Sequence, residues 1–264
     1  MHILVCIKQI IDPEISTDLF RLDPITKRQA RGGLSLVISA YDQNALEVAL
    51  QLREKVGGKI TALCLGESGA MGAVKSALGM GVDEGVLLSD ARFLDLDVFG
   101  VAHVLAQAVR KLGSPGLVLT GAVSGDSGHK VMGPLLAEEL GWPCVTFVTR
   151  IALQGEHLYL RRIVEDGYEV METGVPVVAS ILSDDGNVPR YSKLKDIMAA
   201  AKKPVPTWTA TDLPLDGNRM RAARLDLHDM LIPEGESHCE WIGGDTPQAK
   251  AGQLALRLRE LKVI

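Results

Sequence analysis

The sequence predicts a doubly wound, mainly parallel α/β sheet with an antiparallel extension and a C-terminal arm. Three observations predict it. Short runs nearly continuous in Val, Ile and Leu recur through the first two-thirds of the chain, as strands covered on both faces require. Amphipathic stretches of helical period separate them. Past residue 143 the apolar runs are joined by tight turns instead, which is the signature of antiparallel pairing.

Taken in order, His2–Ile7 is the first strand. Asp42 is placed to cap a helix whose apolar stripe is Ala45, Val48, Ala49, Leu52 and Val56, and Gly57-Gly58 closes it, because glycine adopts the left-handed geometry of a C-terminal cap. Lys59–Leu65 is the next strand, followed by a helix over 68–80, a strand over 85–88 and a helix over 96–112. That last helix sets Val98, Val101, Leu105, Ala108, Val109 and Leu112 on one face. A strand over 116–121 completes the alternation, which predicts parallel pairing. Residues 144–148, 157–164, 168–173 and 175–182 then read as strands extending the sheet antiparallel, with turns at Gln154-Gly155-Glu156 and Glu165-Asp166-Gly167. Residues 183–190 form a turn-rich exit, and 191–203 is amphipathic. The stretch from 204 to 245, with Pro204, Pro206, Pro214 and Pro233, has too little periodic apolar content for its own core. It reads as an arm lying over a partner or over the first domain. A helix over 247–261, with Ala251, Leu254, Leu258 and Leu261 at helical spacing, ends the chain. The expected organisation is a core domain at 1–185, a separate segment at 186–207 and an arm at 208–264.

Composition narrows the function. The chain has 264 residues, 28 Lys and Arg against 33 Asp and Glu, and a formal charge of −5. That balance opposes a nucleic-acid binder, which neutralises phosphates with a basic face. Aromatic content of 4% is too thin for base-stacking platforms. No apolar run approaches the roughly 18–20 residues of a membrane span. The opening Met1-His2-Ile3-Leu4-Val5 enters a strand directly without the features of a targeting leader. Cys6, Cys64, Cys144 and Cys239 are far apart, three of them in apolar runs and none in a C-x-x-C pair. Buried, reduced thiols in a cytoplasmic protein are the expectation.

The loop after the 116–121 strand carries the most chemistry: Ser124, Gly125, Asp126, Ser127, Gly128, His129, Lys130, Val131, Met132, Gly133 and Pro134. Ligands of open α/β sheets sit outside the carboxyl ends of the strands. A small-residue loop entering a helix offers unpaired N–H groups and a positive dipole end to an anion. It fits a phosphate cradle and equally a plain turn with a Ser or Asp cap. Gly125-Asp126-Ser127-Gly128 also resembles a serine-hydrolase nucleophile segment, but no separate His/Asp partnership is marked and G-x-S-x-G is not matched. Residues 66–72, Gly-Glu-Ser-Gly-Ala-Met-Gly, match neither G-x-G-x-x-G nor a P-loop; they read as a tight turn. His103, His228 and His238 lie apart, with no Cys/His grouping at metal-ligand spacing. Leu194, Ile197 and Met198, flanked by Lys193, Lys195, Lys202 and Lys203, fit either a surface helix packed on the core or a projecting loop with an apolar anchor.

Together these segments resemble the β subunit of electron-transfer flavoproteins over nearly the whole chain. The resemblance lies in Ile3-Leu4-Val5-Cys6-Ile7-Lys8-Gln9, in Tyr41-Asp42 before Ala45-Leu46-Glu47, and in Ala77-Leu78-Gly79-Met80-Gly81-Val82-Asp83. It continues through Gly133-Pro134, Leu140-Gly141-Trp142-Pro143 and Gly167-Tyr168-Glu169-Val170. Its most specific part is Asn187-Val188-Pro189-Arg190-Tyr191 with Leu194, Ile197-Met198 and Lys202-Lys203-Pro204. The resemblance implies a Rossmann-like, adenine-nucleotide-binding fold and a heterodimer with a larger α subunit that holds most of an FAD site. It implies a structural AMP on this chain, and electron passage from a flavin dehydrogenase, such as an acyl-CoA dehydrogenase, to a quinone-linked oxidoreductase. On it the nucleotide wall would be Cys6, Ser39, Ala40, Tyr41, Asp42, Leu65 and the loop from Ser124 through Pro134 to Leu135, with Tyr41 near the flavin edge. Leu194, with Ile197 and Met198, would anchor dehydrogenases from a mobile recognition loop at 186–207, and the Pro-rich arm would embrace the α subunit.

There are departures. Family members commonly carry Asn-Pro before the Tyr-Asp, where this chain has Ser39-Ala40. Their loop usually reads Asp-Gly-Asp-Thr-Gly-Gln, against Ser124-Gly125-Asp126-Ser127-Gly128-His129 here; that start is similar to the branch associated with nitrogen fixation and carnitine metabolism. In electron-bifurcating relatives a second FAD replaces AMP, usually with threonines after an acidic residue near the third helix. Asp97-Val98 lacks that threonine, which ranks simple transfer above bifurcation. Outside the family stand a nucleotide-binding regulatory module and a serine hydrolase using Ser127.

Overall fold

β1 (His2–Ile7) is buried along all but its first residue, as a central strand must be. β2 (Gln9–Ile11) pairs antiparallel with β3 (Leu36–Ile38) in a separate two-stranded ribbon. α1 (Ala40–Val56) then leads to β4 (Lys59–Leu65), α2 (Met71–Met80) to β5 (Glu84–Leu88), and α3 (Val98–Lys111) to β6 (Leu117–Gly121). α4 (Met132–Leu140) precedes the long β7 (Cys144–Gln154), the hairpin of β8 (His157–Val164) and β9 (Gly167–Thr173), and β10 (Val177–Ile181). α5 (Leu194–Lys202), the two-residue β11 (Thr207–Trp208), α6 (Gly217–Arg221) and α7 (Pro247–Glu260) follow. This computed structural model describes residues 1–264 except 27, 114, 222–223, 226 and 233–238. Pro233 and His238 therefore lie outside the described residues.

Nine strands join in the order β11-β5-β4-β1-β6-β10-β7-β8-β9. The sheet is parallel from β11 through β10 to the start of β7, and antiparallel from β7 to β9. The expected α/β architecture is present. Two local expectations are corrected. β10 is inserted parallel between β6 and β7 and does not extend the sheet antiparallel. β7 runs well past residue 148: its start pairs with β10 and its remainder with β8, the register shifting near Phe147, whose φ is +58°.

The alternation of β1 shows the layering. Ile3, Val5 and Ile7 face a core built with α1 and α2, whereas Leu4 and Cys6 face one built with α3 and α4. Two compact units result, residues 1–228 and 229–264. Residues 207–220 belong to the first: β11 pairs with β5, and Ala210, Leu213 and Met220 enter the α3/α4 core. In the second unit Thr246 caps α7 by accepting from Ala249 N–H, and no residue of the helix is buried. Of the cysteines, only Cys6 and Cys64 are buried. Cys144 and Cys239 are exposed; Cys144 sits at the first position of its strand, where the sheet face is not yet covered.

Candidate functional site

From β1 the chain walks outward through β4 to β5, then α3 returns it to β6 on the other side of β1. The β1/β6 boundary is thus the switch point, and the crevice beyond these two carboxyl ends is where such sheets bind ligands.

Asp42 ties the crevice together. Its Oδ2 accepts from the Lys8 backbone N–H just past β1 (2.8 Å), and its Oδ1 accepts from the Gly121 N–H ending β6 (3.0 Å). It is not the helix cap expected of it. Ser39 occupies that position, and Asp42 lies in the first turn, because both its oxygens are taken by strand amides. Burial pushes its carboxyl up to about 7 against the pull of the two N–H bonds. Gly121 permits this approach: a Cβ there would lie 2.4 Å from Asp42 Oδ1 and 3.0 Å from its backbone nitrogen.

The loop after β6 folds on itself, with Gly128 N–H donating to Ser124 O and Ser124 N–H to His129 O, both at 2.8 Å. Gly125 N–H reaches Ser39 Oγ at 3.3 Å, and a Cβ at 125 would come within 2.8 Å of Ile10 Cδ1 and 3.1 Å of that hydroxyl. Lys8 Nζ donates to Asp126 Oδ1 (2.8 Å) and Ser124 Oγ (3.2 Å), while the Ser124 hydroxyl donates to Asp126 Oδ1 at 2.5 Å. Partial burial raises the Asp126 pKa, but the Lys8 charge and the Lys8 and Ser124 bonds outweigh it, and the carboxyl is held below its usual range. Val131 gives α4 no side-chain cap. Its first turn includes Pro134, which has no N–H to satisfy. Beneath that turn, Thr120 Oγ1 is buried without a partner among the described residues, 3.1 Å from where a Cβ on Gly133 would sit.

The structure thus brings together Ser39, Asp42, Ser124, Gly125 and Asp126 around the switch point. Gly125, Asp126, Ser127, Gly128, His129 and Lys130 are exposed, as are Val131 and Pro134; Met132 and Leu135 are half-buried and Gly133 is buried under the sheet end. Ala40 is exposed and Tyr41 half-buried on the first turn of α1. Cys6 is buried one residue before the end of β1, its thiol pushed up by burial and by Asp42. Leu65 ends the neighbouring β4, half-buried. Uncapped amides, hydroxyls and a lysine are the donor set that a phosphate requires. Sequence reasoning missed Lys8 as a site residue. Its signal was position, the first polar residue after a buried strand.

No histidine or carboxylate bonds the Ser127 hydroxyl among the described residues, so a hydrolase relay is not assembled. Nor is there, among them, a group of three His, Cys, Asp or Glu suited to a metal ion. His103 is a core histidine, its Nδ1 3.1 Å from Glu139 and its Nε2 accepting from Asp216 N–H. Among the described residues no helix is long and apolar enough to cross a membrane.

The 186–207 segment holds a helix where a projecting loop was one expectation. Leu194, Ile197 and Met198 are not buried in the core, as the other expected, although Ala200 is and Val205 packs against it. Leu194, Ile197 and Met198 are 73, 50 and 58% exposed, and only Ala200 of α5 is buried.

Comparison with known proteins accords with this geometry. Residues 29–213 match the electron transfer flavoprotein domain. The chain is 41% identical over 223 residues to the electron transfer flavoprotein subunit beta of Thermoanaerobacterium thermosaccharolyticum, covering 83% of each. It is 32% identical to the caffeyl-CoA reductase-Etf complex subunit CarD of Acetobacterium woodii over the full length of both. Protein FixA of Azorhizobium caulinodans is 36% identical over 80% of this chain and 76% of that protein. With a switch-point cradle, an exposed apolar helix and these likenesses in hand, the chain belongs to the electron transfer flavoprotein β-subunit family.

Proposed function

We propose that this chain forms a heterodimer with a larger α subunit, closes over an FAD held mostly by that subunit, and keeps a structural AMP in its own switch-point pocket. The FAD supplies the redox chemistry, accepting electrons from a flavin dehydrogenase and yielding them to a quinone-linked acceptor. This chain's residues bind and position. The observation that carries the reading is the folded loop from Ser124 to His129, pinned by Ser39 and Lys8 beside the uncapped start of α4. There Lys8, Ser124 and the backbone amides would face a phosphate, and Tyr41 and Ala40 would line the route toward the flavin. Asp42 would hold the two strand ends apart at the spacing the pocket needs. The exposed Leu194, Ile197 and Met198 would dock the dehydrogenase. A small apolar patch suits an encounter that must release.

The bifurcating alternative needs a second FAD in place of AMP. Asp97 counts against it: its Oδ1 caps α3 through Phe99 and Gly100 N–H, and its Oδ2 accepts from Arg224 and Leu225 N–H. Both oxygens are committed to this chain's backbone.

Mass spectrometry of the nucleotides released on denaturing the purified heterodimer tests the reading. One FAD and one AMP are expected. Two FAD would establish the bifurcating alternative, and a colourless chain retaining no adenine compound would overturn both. Leu194→Ala is expected to slow electron delivery from the dehydrogenase at subsaturating concentration with flavin content unchanged.

A further inference from the structure

The exposed helix α5 is held at both ends. At its root, Arg190 Nε and Nη2 donate to Glu47 Oε2 and Oε1 at 2.8 and 2.9 Å, its backbone N–H donates to the same carboxylate at 3.2 Å, and Nη1 donates to Glu54. Glu47 is 4% exposed and accepts also from Gln51. Burial raises its pKa, yet the Arg190 bonds prevail and the carboxyl stays below its usual range. A forked guanidinium on a buried carboxylate fixes angle as well as distance. Three residues earlier Asn187, wholly buried, accepts from Asn44 Nδ2 and donates to Leu182 O and Thr149 O.

At the far end Lys75 Nζ of α2 donates to the carbonyls of Ala200, Ala201 and Lys203, closing the C-terminus of α5 where its dipole favours a cation. Between the two clamps Gly79 lets α2 approach: a Cβ there would be 3.7 Å from Ile197 Cα. Glu47 lies on α1 five residues beyond Asp42, about 7 Å along the same helix. One rigid element therefore carries both the wall of the pocket and the seat of the exposed helix.

We propose that Arg190 with Glu47, and Lys75, are positioning residues that hold the Leu194–Ile197–Met198 patch as a preformed docking helix at a set distance from the switch-point pocket. The inference rests on the docking role proposed above. Its physical content is that the ordering cost of the interface is met within the chain before the partner arrives, so affinity depends on the clamps although they touch no partner.

The test uses the heterodimer of this chain with its α subunit and, as electron donor, an acyl-CoA dehydrogenase reduced by its acyl-CoA. Arg190→Gln and Lys75→Met are each expected to raise the KM for the heterodimer about five- to tenfold, as expected when several side chains must be ordered on binding. kcat should stay within about twofold, flavin content should be unchanged, and Arg190→Lys should recover part of the loss. Leu194→Ala is measured alongside. If it raises KM and neither clamp variant does, the positioning role is overturned while docking stands. If all three leave KM unchanged, the docking reading itself fails. A fall in kcat and flavin content matching the KM change in both clamp variants would mark them as merely structural and overturn the proposal.

Discussion

The junction under α5 and the loop over the switch point are both polar, yet they are built in opposite ways. At the junction Asn187 is fully buried, and its amide has partners for donor and acceptor alike: Asp184 N–H and Asn44 on one side, two carbonyls on the other. At the loop the Lys8 and Asp126 side chains are 46 and 29% exposed. A buried, fully paired amide specifies one arrangement because every alternative leaves groups orphaned. A half-exposed ion pair contributes little and can trade partners with water or an anion. The difference separates a part that must hold still from a part that must admit a ligand.

Asn187→Ala should break this contrast most forcefully. It orphans the Asp184 N–H and takes a donor from two carbonyls, while Asn44 keeps its bond to the Asn187 backbone carbonyl, and is expected to cost about 3 kcal/mol in urea unfolding. A loss below about 1 kcal/mol would mean that water replaces the side chain, and the junction would be no stiffer than the loop.

Asp42→Asn sharpens the contrast through pH. The Asp42 carboxyl is pushed up to about 7 in the fold, against 3.8 for the same group in water. A raised carboxylate pKa means that the folded chain binds the proton more tightly. Its contribution is therefore whole below pH 4 and fades as pH rises through 7, by at most about 4 kcal/mol. Lys8, Asp126, Cys6 and Cys64 are the other titratable groups around it. Stability measured from pH 4 to 8 should decline less steeply in Asp42→Asn than in the parent. Parallel profiles would show that this carboxyl does not titrate differently on folding.

Asp126→Ala should be the mildest. Removing a half-exposed ion pair is expected to cost under about 1 kcal/mol, while freeing Lys8 and raising retention of AMP through purification. A melting shift as large as that of Asn187→Ala would show the loop to be a structural clasp.

The parallel half of the sheet was legible because its strands are buried on both faces and so spell continuous apolar runs: His2–Ile7 and Lys59–Leu65 match residue for residue. The insertion of β10 was not legible, since a short apolar run carries no mark of which neighbour it pairs with or in which direction. Asp42 was legible as a helix-start residue, but not its two strand amides, which come from positions 34 and 79 residues away. For the same reason the Arg190–Glu47 fork was invisible, its partners being 143 residues apart. Ile197 shows the remaining limit. Helical spacing marked an apolar position, but the small Gly79 and Ala200 let two helices meet backbone to backbone, leaving the larger side chains outward.

β9 closes one end of the nine-stranded sheet, exposed along all but its last residue, with Tyr168 and Val170 60 and 56% exposed. Such a strand presents unpaired main-chain donors and acceptors to any extended segment nearby. Its acidic side chains, Glu169 opposite Arg162 at 3.8 Å and Glu172 opposite His157 at 3.3 Å, make the edge a charged one, and such electrostatic protection weakens as salt screens it. Handling the isolated polypeptide concentrated in high-ionic-strength buffer thus invites edge-to-edge self-association, and light scattering at rising salt would register it.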